Sequence, residues 1–393
     1  MSPAQTRNAG AISLFLVIVP LFGVDLILPA MPMFGRELGA GVAATQLTLS
    51  VFALGFALMH LVLGPLADRY GRRPCLVGGL GLFAVASLAC ALAPSIETLV
   101  AARAVQAIGA AAGPLVARAI IRDVYGAAGA GRMMGFVMGL FGAGAIVTPI
   151  LGGVLADLIG WRANFYAAAA YGVALFAAVL AFLPETLPPR AAGAAPVRYG
   201  SGFRTLLGDR RFVVVCASGC LIAAAMFAWI SGSSFVVQNV FGYSAAAYGG
   251  LYATTVAGFV LMSIVSGRLA TRLGSYRLLR IGTAIAALGG LAGLALGLGT
   301  VPALAAMLAA ITLMAMGHGF TLPQSMAASV APFPHLAATA SAVFGFMQYG
   351  FNSIVVMLNG VFYDGSALPM LALVAGLTAA GALLYALFRP RTH

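Results

Sequence analysis

Asp25 is the residue whose chemical type sits least easily with its neighbours. It lies in Val24-Asp25-Leu26-Ile27-Leu28-Pro29, well inside an apolar run from about Ala11 to Phe34. A carboxylate at such a depth is costly, so it must be protonated, paired or turned towards water. A carboxyl group so placed can exchange its proton near neutral pH, which is what a proton-coupling site needs. The competing reading is a solvated residue capping a helix broken at Pro29. Arg103 is its counterpart in charge, about a turn inside a second apolar run. Its guanidinium needs a partner or water, unless the long stem snorkels to the interface a few residues away. His60 and His318 also lie inside apolar runs. Each either relays a proton or stays neutral on a backbone carbonyl. Gln106, Trp229, Gln238, Gln348 and Asn352 could give polar and aromatic contacts to an amphipathic ligand; helix–helix hydrogen bonding explains each of them equally well.

The runs that hold these residues dominate the sequence. Of 393 residues 62% are hydrophobic and 8% charged, and the mean hydropathy is +1.03. A typical soluble domain carries about 25% charge. So few charges cannot cover a water-exposed surface, so lipid is the expected solvent. Apolar stretches of spanning length fall at about 11–34, 46–66, 75–94, 98–120, 133–156, 163–184, 212–238, 246–267, 278–298, 303–325, 338–360 and 368–388. They are continuous rather than alternating, which predicts helices that satisfy their own backbone. The first is too long for a signal-peptide core and reads as a retained span. The expected class is an all-α membrane protein with twelve transmembrane helices.

The net charge of +12 comes entirely from Arg, since Lys is absent. The arginines do not mark nucleic-acid binding, because they fall in short gaps, mostly alternate ones. With Arg7 placed in the cytoplasm, that side also receives Arg69, Arg72, Arg73, Arg122, Arg132, Arg190, Arg198, Arg204, Arg210, Arg211, Arg268, Arg272, Arg277, Arg280, Arg389 and Arg391. The opposite side receives only Arg36 and Arg162. That asymmetry predicts both termini in the cytoplasm. The longest gap, 185–211, opens Pro184-Glu185-Thr186-Leu187-Pro188-Pro189 and divides the spans six and six. Expected divisions are an N-terminal half 1–184, a linker 185–211 and a C-terminal half 212–393. A repeat supports this. Gly64-Pro-Leu66-Ala67-Asp68-Arg69-Tyr-Gly71-Arg72-Arg73 follows the second run, and Gly267-Arg-Leu269-Ala270-Thr-Arg272-Leu-Gly274 follows the eighth, at an offset of 203 residues. Duplicated six-helix bundles, pseudo-symmetric about the membrane normal, are implied.

The 64–73 segment resembles the loop signature of the major facilitator superfamily. Arg103-Ala-Val-Gln106-Ala-Ile-Gly109 is similar to its fourth-span signature, with Ala107 where a glycine is usual. Gly139-Leu-Phe-Gly142-Ala-Gly144-Ala-Ile-Val-Thr-Pro149-Ile-Leu-Gly152-Gly153 resembles its antiporter signature. Asp25-Leu-Ile-Leu-Pro29-Ala-Met-Pro32, Arg118-Ala-Ile-Ile-Arg122-Asp123 and Gly160-Trp161-Arg162-x-x-Phe165 resemble the Bcr/CflA subgroup of drug–proton antiporters. Relatives in that subgroup can carry a second acid eight residues before Asp25, where this chain has Val17. The resemblance implies a bacterial inner-membrane exporter. It would be driven by the proton gradient without a cofactor, and would take drugs or drug-like small molecules and protons as its partners alongside membrane lipid. It implies that Asp25 carries the proton and that Arg103, on a helix near the first, responds to its charge. It makes Gly64, Asp68, Arg69, Gly71, Arg72 and Arg73 a cytoplasmic gate. The glycines permit tight turns and close helix approach, and Asp68 accepts from arginine or a helix N-terminus. In the span-5 signature the glycines admit a neighbouring helix and Pro149 kinks the span.

Other functions lose support. Without Lys there is no Walker lysine. No Ser stands in a nucleophile elbow, no HExxH occurs, and Cys75, Cys90, Cys216 and Cys220 form no CxxC, so neither hydrolase chemistry nor a metal site is expected. Cys216 and Cys220 share a helix face and read as small apolar packing residues. Gly79-Leu-Gly81-Leu-Phe-Ala84 mimics a dinucleotide fingerprint but lies within an apolar run. A channel would need a ring of symmetric subunits; two halves on one chain fit a monomeric transporter instead. A dedicated exporter of one endogenous metabolite, such as a siderophore or amino-acid derivative, remains an alternative substrate reading, and a nutrient importer a more distant one.

Overall fold

Continuous apolar runs become continuous helices. The computed structural model describes residues 1–187, 199–299 and 304–388. Twelve of its helices are long and apolar enough to cross a bilayer. They are α1 Pro3–Glu37, α2 Val42–Tyr70, α3 Arg72–Ala91, α4 Ile96–Gly126, α5 Gly129–Leu158, α6 Arg162–Phe182, α7 Arg210–Val240, α8 Ala245–Leu273, α9 Ser275–Gly297, α10 Leu304–Val330, α11 Pro334–Phe362 and α12 Leu368–Phe388. Each expected span has its helix, and most helices run further than hydropathy suggests. The reason is physical: Arg, Asp and Tyr end an apolar run without ending a helix. Thus α2 continues through Asp68 and Arg69, and α4 through Arg122 and Asp123. The part of the expected linker at 188–198, with Arg190 and Arg198, lies outside the described residues, as do Arg389 and Arg391. The rest of that segment is not all linker. Tyr199–Gly208 is a short helix, and its Leu206 is buried with Phe212 and Phe344. Asp209 then caps α7, its Oδ1 accepting from the Arg211 and Phe212 N–H groups at 2.7 and 3.1 Å.

The chain forms two compact units. The first comprises the described residues of Met1–Gly41, Val51–Val197 and Ala245–Gly249; the second those of Val42–Ser50, Arg198–Ser244 and Gly250–His393. In the first, Trp161 Nε1 donates to Glu37 at 2.8 Å, and Arg162 pairs with the same carboxylate while lying 4.3 Å over the Trp161 ring. This ties the end of α1 to the turn before α6. In the second, Asn359 donates to Ala228 O and Ser231 Oγ at 2.8 and 2.9 Å, joining α11 to α7.

The internal repeat is visible in the backbone. α2 and α8 are each 29 residues long, and their starts and ends are both displaced by 203 residues. Each ends at a glycine held at positive φ, Gly71 (φ 103°, ψ 158°) and Gly274 (φ 72°, ψ 154°). That region of backbone space is open to glycine almost alone. Gly79 on α3 and Gly282 on α9 share the same offset. A side chain on Gly79 would strike Ala112 of α4, and one on Gly282 would strike Thr321 of α10. Each is a close helix approach that a larger residue would block.

Gly274→Ala should lower stability by about 1–3 kcal/mol, the cost of forcing a Cβ into that conformation. Gly267→Ala should be neutral or mildly stabilising, because nothing lies within 4 Å of its added methyl and Ala favours a helix. Thermal unfolding of the purified protein in detergent measures both.

Candidate functional site

The first helix is broken where Asp25 sits. Helical backbone runs Pro3–Leu16 and Val19–Gly23, a turn follows, and a 3-10 turn Leu28–Ala30 leads into Met31–Glu37. Pro29 lacks the N–H that would bond Asp25 O in a regular helix. The neighbouring amides shift partner: Leu26 N bonds Leu21 O, Ile27 N bonds Val24 O and Ala30 N bonds Ile27 O, all at 3.0 Å. The carbonyls of Gly23 and Leu26 are left for other donors. Side chains from two other helices supply them. Arg103 Nη1 of α4 donates to Gly23 O at 2.6 Å, and Asn164 Nδ2 of α6 donates to Leu26 O at 2.6 Å and to Gly152 O at 3.1 Å. Asp25 lies between these two anchored carbonyls and is 8% exposed.

Arg103 does not snorkel. It is 1% exposed, and its guanidinium lies 4.4 Å from the Phe52 ring and 5.9 Å from that of Phe165. Besides Gly23 O it donates to Gln106 Oε1. Gln106 Nε2 in turn donates to Ser87 Oγ at 2.7 Å, and Ser87 Oγ to Phe83 O at 2.6 Å. A buried guanidinium is tolerable only with such bonds, and the aromatic faces add cation–π attraction. Gln106 is therefore a buried link to α3, the helix–helix hydrogen bonding that its sequence position allowed beside a ligand contact.

α5 supports the same break from its small-residue face. A Cβ on Gly152 would collide with Leu26 O, and one on Gly144 would lie 2.9 Å from Leu21 Cδ1. Gly153 faces the Ala245 backbone, and the Pro149 carbonyl faces Gly249. Gly142 is buried, but Gly139 has nothing within 4 Å, so the signature is not uniformly a contact surface. Beyond it, Asp157 accepts from the Ala245 and Ala246 N–H groups at 3.2 and 2.8 Å.

The 64–73 turn is a second cluster of charge. Arg72 is 4% exposed; its Nη1 donates to Asp68 at 2.6 Å and its Nε to Asp123 at 3.0 Å. Gly64 lies within α2 with nothing near it, so it makes neither the turn nor the close approach expected of it. Gly71 makes the turn. Arg69 lies over the Tyr70 ring at 5.2 Å. Glu185, beyond the end of α6, completes the cluster. It accepts from the backbone N–H groups of Arg72, Arg73, Thr186 and Leu187 at 2.8–3.1 Å. Arg73 returns the contact by donating to Leu180 O at 2.9 Å. The start of α3 and the end of α6 thus cap each other. Partial burial pushes the Glu185 carboxyl up, but the four amides outweigh it and hold the pKa below the ordinary glutamate range.

Residues 13–357 match the sequence model of the Major Facilitator Superfamily. The chain belongs to the major facilitator superfamily. It is 30% identical over 377 residues to the uncharacterised MFS-type transporter YdgK of Bacillus subtilis, covering 94% of this chain and 92% of the relative. A bicyclomycin resistance protein homolog of Haemophilus influenzae is 25% identical over 383 residues, covering 94% and 93%. The multidrug resistance protein MdtL of Escherichia coli K12 is 28% identical over 349 residues, covering 89% and 87%. Among solved structures, a bacterial homolog of the human lysosomal transporter Spinster superposes with a TM-score of 0.78 at 18% identity, over 98% of this chain and 97% of that one. The xylose transporter XylE of E. coli superposes with 0.75 at 13% identity, over 99% and 98%. These two likenesses concern the fold. The protein is a multi-pass membrane transporter, not an enzyme.

For this superfamily member the remaining cavity candidates divide between the units, with His60 in the first and the others in the second. His60 Nδ1 lies 2.9 Å from Phe56 O, the bond expected of a neutral packing histidine. His318 stacks on Phe259 at 5.0 Å, and its Nδ1 has no hydrogen-bond partner among the described residues. Trp229 and Asn352 are fully buried; the Trp229 Nε1 and both amide atoms of Asn352 are without partners among the described residues. Gln238 donates to Ser234 Oγ at 2.9 Å within a wide π-helical turn, Val236–Val240. Gln348 is half-buried. Sequence reasoning missed Asn164 and Glu185. Each stood inside a quoted segment, but only packing reveals which carbonyls and amides need them.

Gly152→Ala should abolish transport by driving α5 off the Leu26 carbonyl, whereas Gly139→Ala should retain it; uptake assays in vesicles compare the two. Glu185 has a depressed pKa when folded, so its stabilisation is present above about pH 4.3, the ordinary glutamate value. It is lost as pH falls through the folded pKa. Glu185→Gln should therefore lower the melting temperature at pH 7, and the gap to wild type should close progressively below about pH 4.3.

Proposed function

We propose that this transporter is a proton-coupled exporter of drug-like small molecules, working by alternating access in a bacterial inner membrane with both termini in the cytoplasm. The observation that carries the reading is the Asp25 segment. A carboxyl group sits in a broken stretch of α1 whose flanking carbonyls are gripped by Arg103 and Asn164. A helix break is expensive in an apolar medium and persists where it serves a site. Protonation of Asp25 alters the charge beside a backbone segment that three other helices hold in register. The proton gradient is the energy source and no cofactor is called for.

The relatives support the export direction and the class of substrate, since two of them are named for bicyclomycin and multidrug resistance. The arginine distribution supports the orientation. Proton entry from outside protonates Asp25 and favours release of the substrate; loss of the proton inward resets the site.

A pH jump on proteoliposomes, read with a panel of lipophilic and cationic compounds, tests the coupling. Ligand-triggered proton release is expected from wild type and should vanish in Asp25→Asn, with expression and ligand binding kept. Full proton-driven transport by Asp25→Asn would refute the assignment.

A further inference from the structure

Three sulphur atoms converge in the second unit, away from Asp25 and the 64–73 turn. Cys216 and Cys220, one helical turn apart on α7, place their Sγ atoms 4.0 Å from each other. Cys216 Sγ also lies 3.5 Å from Met347 Sδ of α11. Both cysteines are fully buried and free; Met347 is only partly buried and packs at the edge of the same cluster. We propose that Cys216, Cys220 and Met347 form a binding site for one soft monovalent cation of the Cu(I) and Ag(I) class.

Geometry and ligand chemistry agree on this. A d10 first-row ion sits about 2.3 Å from a thiolate sulphur, as zinc does. Cys216 Sγ, 4.0 Å from Cys220 Sγ and 3.5 Å from Met347 Sδ, is therefore close enough to each of them to share an ion with it. Thiolate and thioether donors select Cu(I) over harder ions. Zinc would need a fourth ligand, and no group of three or more His, Cys, Asp or Glu gathers anywhere among the described residues. The surroundings are apolar, with Leu206, Phe212, Val343 and Phe344 in the same cluster. Binding forms one metal–thiolate bond, in which the cation replaces the proton of one cysteine, and two dative bonds from the other thiol and the thioether. One proton leaves for one cation bound, so the apolar shell acquires no net charge. Met347 is the one of the three that is not fully buried.

The test is titration of the purified full chain with Cu(I) against a competing chelator, and with Ag(I) as a redox-inert substitute. Wild type should bind one ion per chain, and Cys75→Ser/Cys90→Ser should bind equally well. Cys216→Ser/Cys220→Ser should lose about 100-fold in affinity and Met347→Leu about 10-fold. X-ray absorption at the copper edge of the Cys75→Ser/Cys90→Ser protein does not depend on how the site variants fold. It should show a sulphur-only shell at about 2.3 Å. Undiminished affinity in Cys216→Ser/Cys220→Ser, or a shell containing nitrogen or oxygen, would overturn the site and leave the sulphurs as packing groups.

Discussion

In an apolar solvent every backbone carbonyl must find a donor inside the protein, and the broken segment of α1 in this transporter is built on that requirement. Pro29 and the shifted amides around it free the carbonyls of Gly23 and Leu26. Arg103 and Asn164 answer them. From this follow the burial of Arg103, its aromatic bed of Phe52 and Phe165, the Gln106–Ser87 chain behind it, and the absence of a side chain at Gly152 where α5 meets Leu26. Take away the break, and a buried guanidinium and a buried amide on two different helices would have no evident reason to be there.

The repeat separates what duplication supplies from what each half adds. Both halves keep the 29-residue helix, the positive-φ glycine and the close approach at Gly79 or Gly282. Only the first carries the Asp68–Arg72 pair, whose positions correspond by offset to Thr271 and Ser275, whereas Arg69 recurs as Arg272. The turn itself needs no ions. The Asp68–Arg72–Asp123 cluster and the Glu185 cap are therefore additions to a backbone turn that forms in the second half without them.

How much could be read from the residues depended on whether the governing force acts locally. Hydropathy located all twelve spans, because burial in lipid acts on each run independently. It misjudged their ends, because Asp68, Arg69, Arg122 and Asp123 leave the apolar zone while remaining helical. The helix Tyr199–Gly208 was hidden by a Gly- and Arg-rich composition. Asp25 and Arg103 stood out because charge in an apolar run is conspicuous anywhere. Asn164 and Glu185 did not: an Asn beside an interfacial Trp and a Glu at a helix end are ordinary in sequence, and their importance lies in which distant backbone atoms they meet. Trp229 and Asn352 stand out as an aromatic and a polar side chain in apolar runs, but that their buried polar atoms find no partner among the described residues follows from packing alone.

Glu185 also bears on how such a chain enters a membrane. Its carboxylate is answered by four main-chain amides and, among the described residues, by no guanidinium. The acid is thus housed beside Arg72 and Arg73 with its oxygens on their amides rather than on their guanidiniums. While the helices are being threaded into lipid and the cap has yet to form, the acid is a weak topological signal beside two strong ones. Once α3 and α6 meet, the same acid fastens them. One residue is nearly silent during insertion and takes up its work only at assembly.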